Sequence, residues 1–317
     1  MEQERFGQEL LGAVGKLLPE GTRAEIQETE RINEEACRQV VIMEAGRALS
    51  PCFRLDRIHG RSRQEGWDIQ EAAEEVVSLY HRAVEGEYMG EVAGFRYRDP
   101  DTVREHMAFQ LVNHGKNRKM LEHTAHVDLL DLALVYSVVV RQDEGGDSLA
   151  RMEKSWFGHF GWTEEGMYRE TMENTMRLLP VAVGPILEVL RREMGIRGTG
   201  REDAACPEGM PPMLVATNPA AMFLPGVLAG IAQGRGKDLI LLPSSRHEMI
   251  LLEDGGKEGL QGLADMVKAI NRRHVAPEDV LSDHVYYYDR EQDRVEMHGD
   301  GCHGNGKGET WDVQGHC

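Results

Sequence analysis

The sequence predicts an α+β protein with antiparallel or mixed sheets flanked by helices, and three observations support this class. Stretches with apolar residues at helical spacing alternate with short runs rich in β-branched and aromatic residues. Several of these runs follow one another with only a turn between them, which favours hairpins over a doubly wound parallel sheet. The chain has 317 residues and 41% hydrophobic side chains, which is enough for two lobes.

The first lobe is predicted over residues 1–194 and begins with an amphipathic helix. Phe6, Leu10 and Val14 recur at helical spacing in that segment. The strand-like segments that follow are residues 23–32, 36–43, 51–58, 106–112, 129–140 and 148–152. The helical segments are residues 69–84, 116–122, 163–178 and 185–194. Asp68 precedes the first of these helices and is a suitable N-cap.

A linker is predicted at residues 195–212, because this segment holds four glycines and three prolines without apolar periodicity. The second lobe is then predicted over residues 213–298. Its strands are residues 213–217, 238–242, 247–252, 285–288 and 294–297, and its helices are residues 221–233 and 259–271. This order is that of a β-α-β-β-α-β unit. Residues 299–317 are glycine-rich and are predicted to form a flexible tail.

The composition of the chain disfavours several classes of partner and several cellular locations. With 54 acidic against 36 basic residues the formal net charge is -18, which disfavours a nucleic-acid partner. No apolar run approaches the ~20 residues of a membrane helix, so no membrane partner is expected. The N-terminal segment lacks the basic start and apolar stretch of a signal peptide, which predicts a cytoplasmic location. The five cysteines are widely spaced and do not suggest a disulfide scaffold.

One corner of the second lobe concentrates reactive side chains. Ser244, Ser245, His247 and Glu248 fall within five residues and could supply a nucleophile and a base. If a strand begins at His247, however, His247 and Glu248 point to opposite faces. The chain has neither an HExxH nor a GxSxG motif. The alternative is a tight turn in which Pro243 fixes φ and the serine hydroxyls cap backbone groups.

A second group of candidates lies before the longest apolar strand. His123 and His126 could be metal ligands, and Asp128 and Asp131 follow closely. The HxxH spacing fits one face of a helix, but this segment reads as a loop that enters a strand. Loop caps and surface imidazoles are the alternative. Asp131 interrupts an apolar run, so its carboxylate must lie at an exposed edge or be paired inside.

The tail offers soft metal ligands. Its candidates are His298, Cys302, His303, His316 and Cys317. Histidine and thiolate ligands suit zinc or copper, but the spacing matches no closed zinc module, and adventitious binding is the alternative. A GxGxxG match at residues 299–304 is not followed by an amphipathic helix, so it does not indicate a dinucleotide. Neither a cofactor nor a physiological metal is therefore predicted.

Several unusual strings occur in a characteristic order. They are LVNHGKNRKMLEHTAHVDLLDLALVYSVVV, WTEEGMYRETMENTMRLLP, LVATNPAAMFLPGVLAGIA, LILLPSSRHEMILLED and VAPEDVLSDHVYYYDR. With them the sequence resembles an uncharacterised bacterial family, the domain of unknown function 5688, over nearly all of residues 1–298. The resemblance implies a bacterial cytoplasmic protein and no particular activity.

Two hypotheses of function remain open. The first is a binding or regulatory protein that holds a protein partner or a small ligand between two lobes, because no complete catalytic constellation is visible. The second is a hydrolase-like enzyme with its site at the serine-containing corner, facing a histidine or an aspartate from the first lobe. The residues of that alternative site are Ser244, Ser245, His247, Glu248, His126 and Asp131.

Overall fold

The fold is α+β with antiparallel sheets, as predicted. The computed structural model describes residues 2–33, 36–46, 50–86, 94–143, 146–186, 213–254, 257–300 and 310–312. The chain forms two compact units. The first consists of Met1–Asp99 with Val140–Ser148, and the second consists of Pro100–Val139 with Leu149–Cys317.

The first unit contains a small antiparallel sheet in the order β1-β2-β3. The strands are β1 (Thr22–Thr29), β2 (Cys37–Glu44) and β3 (Cys52–Arg54). The helices are α1 (Glu2–Leu17), α2 (Leu55–Glu65) and α3 (Ile69–Glu85). Val40 and Ile42 alternate on one face of β2 and are fully buried in a core with Leu10 and Val14 of α1. The predicted first helix and the first hairpin are therefore confirmed.

The N-terminus of α3 has the predicted cap. The Asp68 carboxylate accepts hydrogen bonds from the backbone N–H groups of Gln70 and Glu71 at 2.8 and 2.9 Å. The Glu71 carboxylate in turn accepts from the backbone N–H of Asp68 at 2.9 Å, which completes a capping box. Such a cap contributes about 1 kcal/mol to helix stability.

The prediction of one strand over residues 51–58 is wrong. Strand β3 ends at Arg54, and α2 begins at the next residue. The buried residues Leu55, Ile58 and Ser62 of α2 follow helical spacing, and the helix ends at Gly66 in the left-handed conformation at φ 71°. The helical period was present in the sequence, but its polar residues between Leu55 and Ser62 obscured it.

The second unit contains most of a sheet in the order β4-β6-β5, with β7 also paired to β6. Residues 140–143 of β6 and 146–148 of β7 belong to the first unit. Its strands are β4 (Met107–Asn113), β5 (His126–Leu129), β6 (Leu132–Asp143) and β7 (Gly146–Arg151). Its helices are α4 (Pro100–Glu105), α5 (Arg118–His123), α6 (Lys154–Phe160) and α7 (Glu164–Leu178), with a 3-10 turn at Gly115–Asn117. Residues 132–139 of β6 are buried. The pairing of β4 and β5 with this strand brings the ends of β4 and β5 together at Leu132.

The prediction of a continuous strand over residues 129–140 is also wrong. Leu129 pairs with Leu132, so Leu130 and Asp131 form a two-residue turn between β5 and β6. Leu130 has a φ of 57°, a left-handed conformation that is unfavourable for leucine. An apolar run conceals such a turn, because leucine carries no turn signal. Only Asp131 indicated an interruption.

A seven-stranded antiparallel sheet forms the rest of the second unit, in the order β14-β13-β12-β10-β11-β9-β8. The strands are β8 (Val183–Pro185), β9 (Met213–Thr217), β10 (Asp238–Pro243), β11 (Glu248–Asp254), β12 (Val285–Asp289), β13 (Arg294–His298) and β14 (Thr310–Asp312). The helices are α8 (Pro219–Met222), α9 (Val227–Arg235) and α10 (Leu260–His274), with a 3-10 turn at Pro277–Asp279. The predicted β-α-β-β-α-β order is found from β9 to β12, except that the helix predicted over residues 221–233 is divided into α8 and α9.

Strand β12 presents its tyrosines to opposite faces of the sheet. Tyr287 belongs to the core formed with Leu260 and Val267 of α10. Tyr286 lies on the other face, where its ring centroid is 5.9 Å from that of Phe223. This alternation follows from the pleat of the strand, and it places the Tyr286 hydroxyl on the face opposite α10.

Parts of the predicted domain organisation lie outside the described residues. These include the linker at 195–212 and residues 187–194 of the helix predicted before it. The compact units begin and end at other residues than the predicted domains, and the linker stays a prediction. Within the predicted tail, residues 310–312 form β14 and pair with β13, so for them the prediction of flexible chain is wrong. Among the described residues, no helix is long and apolar enough to cross a membrane.

Candidate metal centre

Three side chains with metal-binding atoms meet near the C-terminal ends of β4 and β5. His126 and Asp128 are alternate residues of β5 and therefore share a face of the sheet. His114 directly follows β4, which pairs with β6 on the side away from β5. We refer to His114, His126 and Asp128 as the His–His–Asp site. One ligand atom from each residue lies within 4.8 Å of the other two.

The separations of these atoms match a metal coordination sphere better than a hydrogen-bonded pair. The Asp128 Oδ1 atom is 3.3 Å from His114 Nε2 and 3.4 Å from His126 Nε2. Both distances exceed the usual 2.7–3.2 Å range of N–H···O hydrogen bonds, which is about 2.9 Å at its mode. With metal–ligand bonds of about 2.05 Å in a tetrahedral site, neighbouring ligand atoms lie about 3.3 Å apart. The two separations from the Asp128 oxygen to the imidazole nitrogens thus match the spacing around a tetrahedral ion.

The orientation of His126 is fixed by a hydrogen bond on the far side of its ring. Its Nδ1 atom is 2.8 Å from the backbone carbonyl oxygen of Thr124, so Nδ1 carries the proton that this bond needs. In the neutral ring Nε2 then holds a lone pair that faces the Asp128 carboxylate. A lone pair and a carboxylate repel unless a proton or a metal ion lies between them. Metal-bound histidines commonly have such a carbonyl partner on the other nitrogen.

The site is accessible from solvent and graded in exposure. The His126 side chain is 15% exposed, that of His114 is 36% exposed and that of Asp128 is 71% exposed. One ligand is therefore held in place by packing, while the carboxylate can adjust to an incoming ion. An entry path of this kind is a requirement for a site that exchanges its ion.

A second polar group surrounds Asp131, and we call it the Asp131 cluster: Asp131, Ser282, His284 and Tyr286. The carboxylate accepts hydrogen bonds from the Ser282 hydroxyl at 2.6 Å and from the Tyr286 hydroxyl at 2.6 Å. The His284 Nδ1 atom is 2.9 Å from the same carboxylate. Ser282 and Tyr286 are fully buried. Asp131 is therefore paired inside the protein, one of the two arrangements predicted from the sequence.

The pKa values in this cluster shift towards an ion pair. Burial alone would raise the pKa of the Asp131 carboxyl, but hydrogen bonds from His284, Ser282 and Tyr286 hold it below its ordinary value. The bond to Asp131 raises the pKa of His284, against the effect of burial. The second ring nitrogen of His284 lies 3.1 Å from the Asp300 carbonyl oxygen. Two acceptors favour the imidazolium form, which donates from both nitrogens.

Comparison with known proteins identifies the family. The sequence pattern of a family of unknown function, DUF5688, matches residues 3–290. The chain belongs to the DUF5688 family. No curated protein and no solved structure matches the chain.

In this DUF5688 protein the predicted serine corner is a hydrogen-bonded turn. The Ser245 hydroxyl accepts a hydrogen bond from the backbone N–H of His247 at 3.1 Å. The His247 Nε2 atom lies 3.3 Å from Asp279, and Arg246 is 3.0 Å from the same carboxylate. Glu248 begins β11 and pairs with Thr217 of β9. Within the described residues no hydrogen bond joins the His247 ring to Ser244 or Ser245, and the hydrolase hypothesis stays a prediction.

The remaining metal candidates divide into one described residue and four others. His298 ends β13 with its Nε2 atom 3.7 Å from the Glu296 carboxylate, and burial lowers its pKa. The other four candidates lie outside the described residues: Cys302, His303, His316 and Cys317.

Two of the four residues predicted around the HxxH motif belong to the His–His–Asp site, and its third residue, His114, was not predicted. His126 and Asp128 belong to the His–His–Asp site, whereas His123 ends α5, and Asp131 belongs to its own cluster. His114 is twelve positions before His126 in the sequence. Only the pairing of both β4 and β5 with β6 brings it near. No spacing rule in the sequence reveals that arrangement. Ser282 and His284 were missed for the same reason.

Proposed function

We propose that this DUF5688 protein binds a divalent transition-metal ion through His114, His126 and Asp128. One observation carries the proposal: two imidazole nitrogens converge on a single carboxylate oxygen at 3.3 and 3.4 Å. This function makes the predicted binding or regulatory role specific, with a metal ion as the small ligand. Two imidazoles and a carboxylate suit zinc and its first-row neighbours.

Three protein ligands leave one position of a tetrahedral ion for water or another ligand. Sites that only stabilise a fold usually have four protein ligands, whereas sites with three act on an exchangeable ligand. The exposure of Asp128 agrees with an exchangeable position. The supporting hydrogen bond from His126 to the Thr124 carbonyl leaves Nε2 available for the ion.

We also propose a cytoplasmic location for the protein and a partner that is neither a nucleic acid nor a membrane. The formal net charge of -18 supports a partner other than a nucleic acid, and it favours cations near the surface. The family resemblance supports a bacterial cytoplasmic protein. A protein partner is compatible with this proposal and would bind in addition to the metal ion.

Zinc binding tests the proposal directly. The full chain, stripped with EDTA, is titrated with zinc in competition with a chromophoric chelator. The His126→Asn variant is the sharpest change, because its amide can still donate to the Thr124 carbonyl while the metal-facing nitrogen is removed. We expect zinc affinity to fall at least ~30-fold, in the range of losing one of three ligands at a zinc site.

Two control variants make the result specific. His123→Asn alters an exposed neighbouring histidine outside the site and should leave the affinity unchanged. A Cys302→Ser/Cys317→Ser variant removes the thiolates of the tail and should keep the site's one equivalent of zinc. Equal zinc binding by the His126→Asn and His123→Asn variants would contradict the proposal.

A further inference from the structure

The turn between β5 and β6 supports two of the three proposed ligands. The backbone N–H of His114 donates to the carbonyl oxygen of Asp131 at 2.9 Å. Asp128 lies on β5 just before the same turn, where Leu129 pairs with Leu132. Any shift of Asp131 therefore moves His114 through a hydrogen bond and Asp128 through the hairpin.

This turn is strained and needs external support. Leu130 has a φ of 57°, where a β-carbon is crowded. Strained residues persist when the surrounding structure fixes them, at a cost of about 1–3 kcal/mol. The support here is the Asp131 side chain, which accepts hydrogen bonds from buried groups of the seven-stranded sheet and of the segment that leads into it.

The residue before His114 is held by the same segment. The Asn113 amide donates to the Leu281 carbonyl oxygen at 2.9 Å, and its side-chain oxygen accepts from the backbone N–H of Lys116 at 2.8 Å. The buried Asn271 of α10 donates to the Ser282 carbonyl oxygen at 2.8 Å. The segment that begins at Leu281 is therefore held by α10 through Asn271. It also contacts Asn113 and Asp131, the two residues that position the His–His–Asp site.

We propose that Asp131 is a positioning residue for the metal centre and that Tyr286 sets the affinity of the centre from the neighbouring sheet. This inference rests on the proposed metal-binding function. The Tyr286 hydroxyl holds Asp131, Asp131 holds the turn and the His114 backbone, and these place the ligand atoms. Coupling of this kind is reciprocal, so a bound metal ion stabilises the contacts of Tyr286 by the same factor.

Two of the three buried tyrosines of β12 provide a matched pair of variants. The Tyr286 hydroxyl donates to Asp131 at 2.6 Å, and the Tyr288 hydroxyl donates to Asp293 at 2.6 Å. Both residues are fully buried on the same face of the strand. Each Tyr→Phe change removes one hydroxyl from one carboxylate, but only Tyr286→Phe affects the turn beneath the metal site.

The experiment measures the zinc affinity and stoichiometry of both variants by chelator competition. We expect Tyr286→Phe to weaken zinc binding roughly 3- to 10-fold, near the lower end of the effect of outer-shell changes. The stoichiometry should stay the same, and Tyr288→Phe should remain within about twofold of the wild type. Asp131→Asn, which keeps the size of the side chain, should also weaken binding. Hydrogen exchange should show that zinc protects the amides of residues 282–286 in the wild type.

The outcomes separate this inference from the function on which it rests. If the wild type binds zinc and Tyr286→Phe binds it equally well, the positioning role is wrong and the metal site stands. An equal loss in both tyrosine variants also contradicts the positioning role, because it reports general destabilisation. If the wild type binds no zinc at the His–His–Asp site, both proposals are wrong.

Discussion

The His–His–Asp site and the Asp131 cluster combine the same chemical groups, imidazole and carboxylate, in opposite ways. In the Asp131 cluster a partly buried carboxylate receives short hydrogen bonds, and its histidine has an acceptor at each ring nitrogen. In the His–His–Asp site the carboxylate is 71% exposed. The Nε2 atoms of both histidines lie 3.3 and 3.4 Å from its Oδ1 atom, too far for a good hydrogen bond. One arrangement is complete without a ligand, whereas the other has the spacing for one.

A polar group that stabilises the fold can thus be distinguished from a binding site by its hydrogen bonds and its burial. Saturated hydrogen bonds in a buried place stabilise the fold, because each donor and acceptor would be costly to leave unpaired. Converging ligand atoms that are too far apart for good hydrogen bonds, and that are fixed from behind, suit an added ion. Composition alone would rank the two regions equally.

The largest expected effect comes from removing each carboxylate in turn. Asp131→Ala leaves the buried hydroxyls of Ser282 and Tyr286 and the ring of His284 without their acceptor, so we expect a loss of about 3 kcal/mol in the free energy of unfolding. Asp128→Ala removes an exposed carboxylate and should change the free energy by less than about 0.5 kcal/mol without metal. Urea unfolding of both variants in EDTA measures the difference. Similar losses of unfolding free energy in the two variants would contradict the structural role of Asp131.

A smaller effect should depend on pH. The raised pKa of His284 gives stability that is present below its ordinary value of 6.5 and is lost as the pH rises through the folded-state value. The lowered pKa of Asp131 gives stability that is present above its ordinary value of 3.8 and is lost as the pH falls through the folded-state value. The pair should therefore stabilise the fold most between pH 3.8 and 6.5.

The variant that tests this window is His284→Gln, whose amide keeps a donor without the charge. We expect it to be roughly 1–2 kcal/mol less stable than the wild type near pH 5, and the gap to shrink as the pH rises above the window. A stability gap that grows from pH 5 to pH 9 would contradict the assignment of the ion pair.

The smallest change in stability is expected at the serine corner. The Ser245 hydroxyl caps a backbone N–H in an accessible turn, so Ser245→Ala should cost about 0.5–1 kcal/mol of unfolding free energy. Zinc affinity should not change, because Ser245 is not part of the His–His–Asp site. Ser244→Ala serves as the control with an adjacent hydroxyl. Thermal unfolding of both variants measures the loss of stability. A Ser245→Ala variant as stable as the wild type would contradict a structural role for the Ser245 hydroxyl.

Local pattern predicted most elements of the fold. The helix of α3 and its Asp68 cap, the first hairpin and the order from β9 to β12 all follow from short-range periodicity and capping. The errors fell where two elements meet without a turn signal, at Arg54 before α2 and at Leu130 between β5 and β6. At such places tertiary contacts fix a conformation that the local sequence does not prefer.

Prediction of the candidate site was less complete, because its residues come from separate strands. His126 and Asp128 are alternate residues of one strand, so the sequence could suggest them together. His114 joins them only through the pairing with β6, and Ser282, His284 and Tyr286 reach Asp131 from more than 150 positions away. No local spacing encodes contacts of that range.

Short-range features of the amino-acid sequence specify the α+β class, the acidic charge, the family and the chemical types available for a site. These depend on composition and on periods of two or 3.6 residues, which neighbouring residues carry among themselves. The folded chain alone specifies that the Asp131 carboxylate is hydrogen-bonded to buried groups and that the Asp128 carboxylate stays exposed beside two imidazoles. That choice depends on strand pairing and burial, because both are properties of residues distant in the chain.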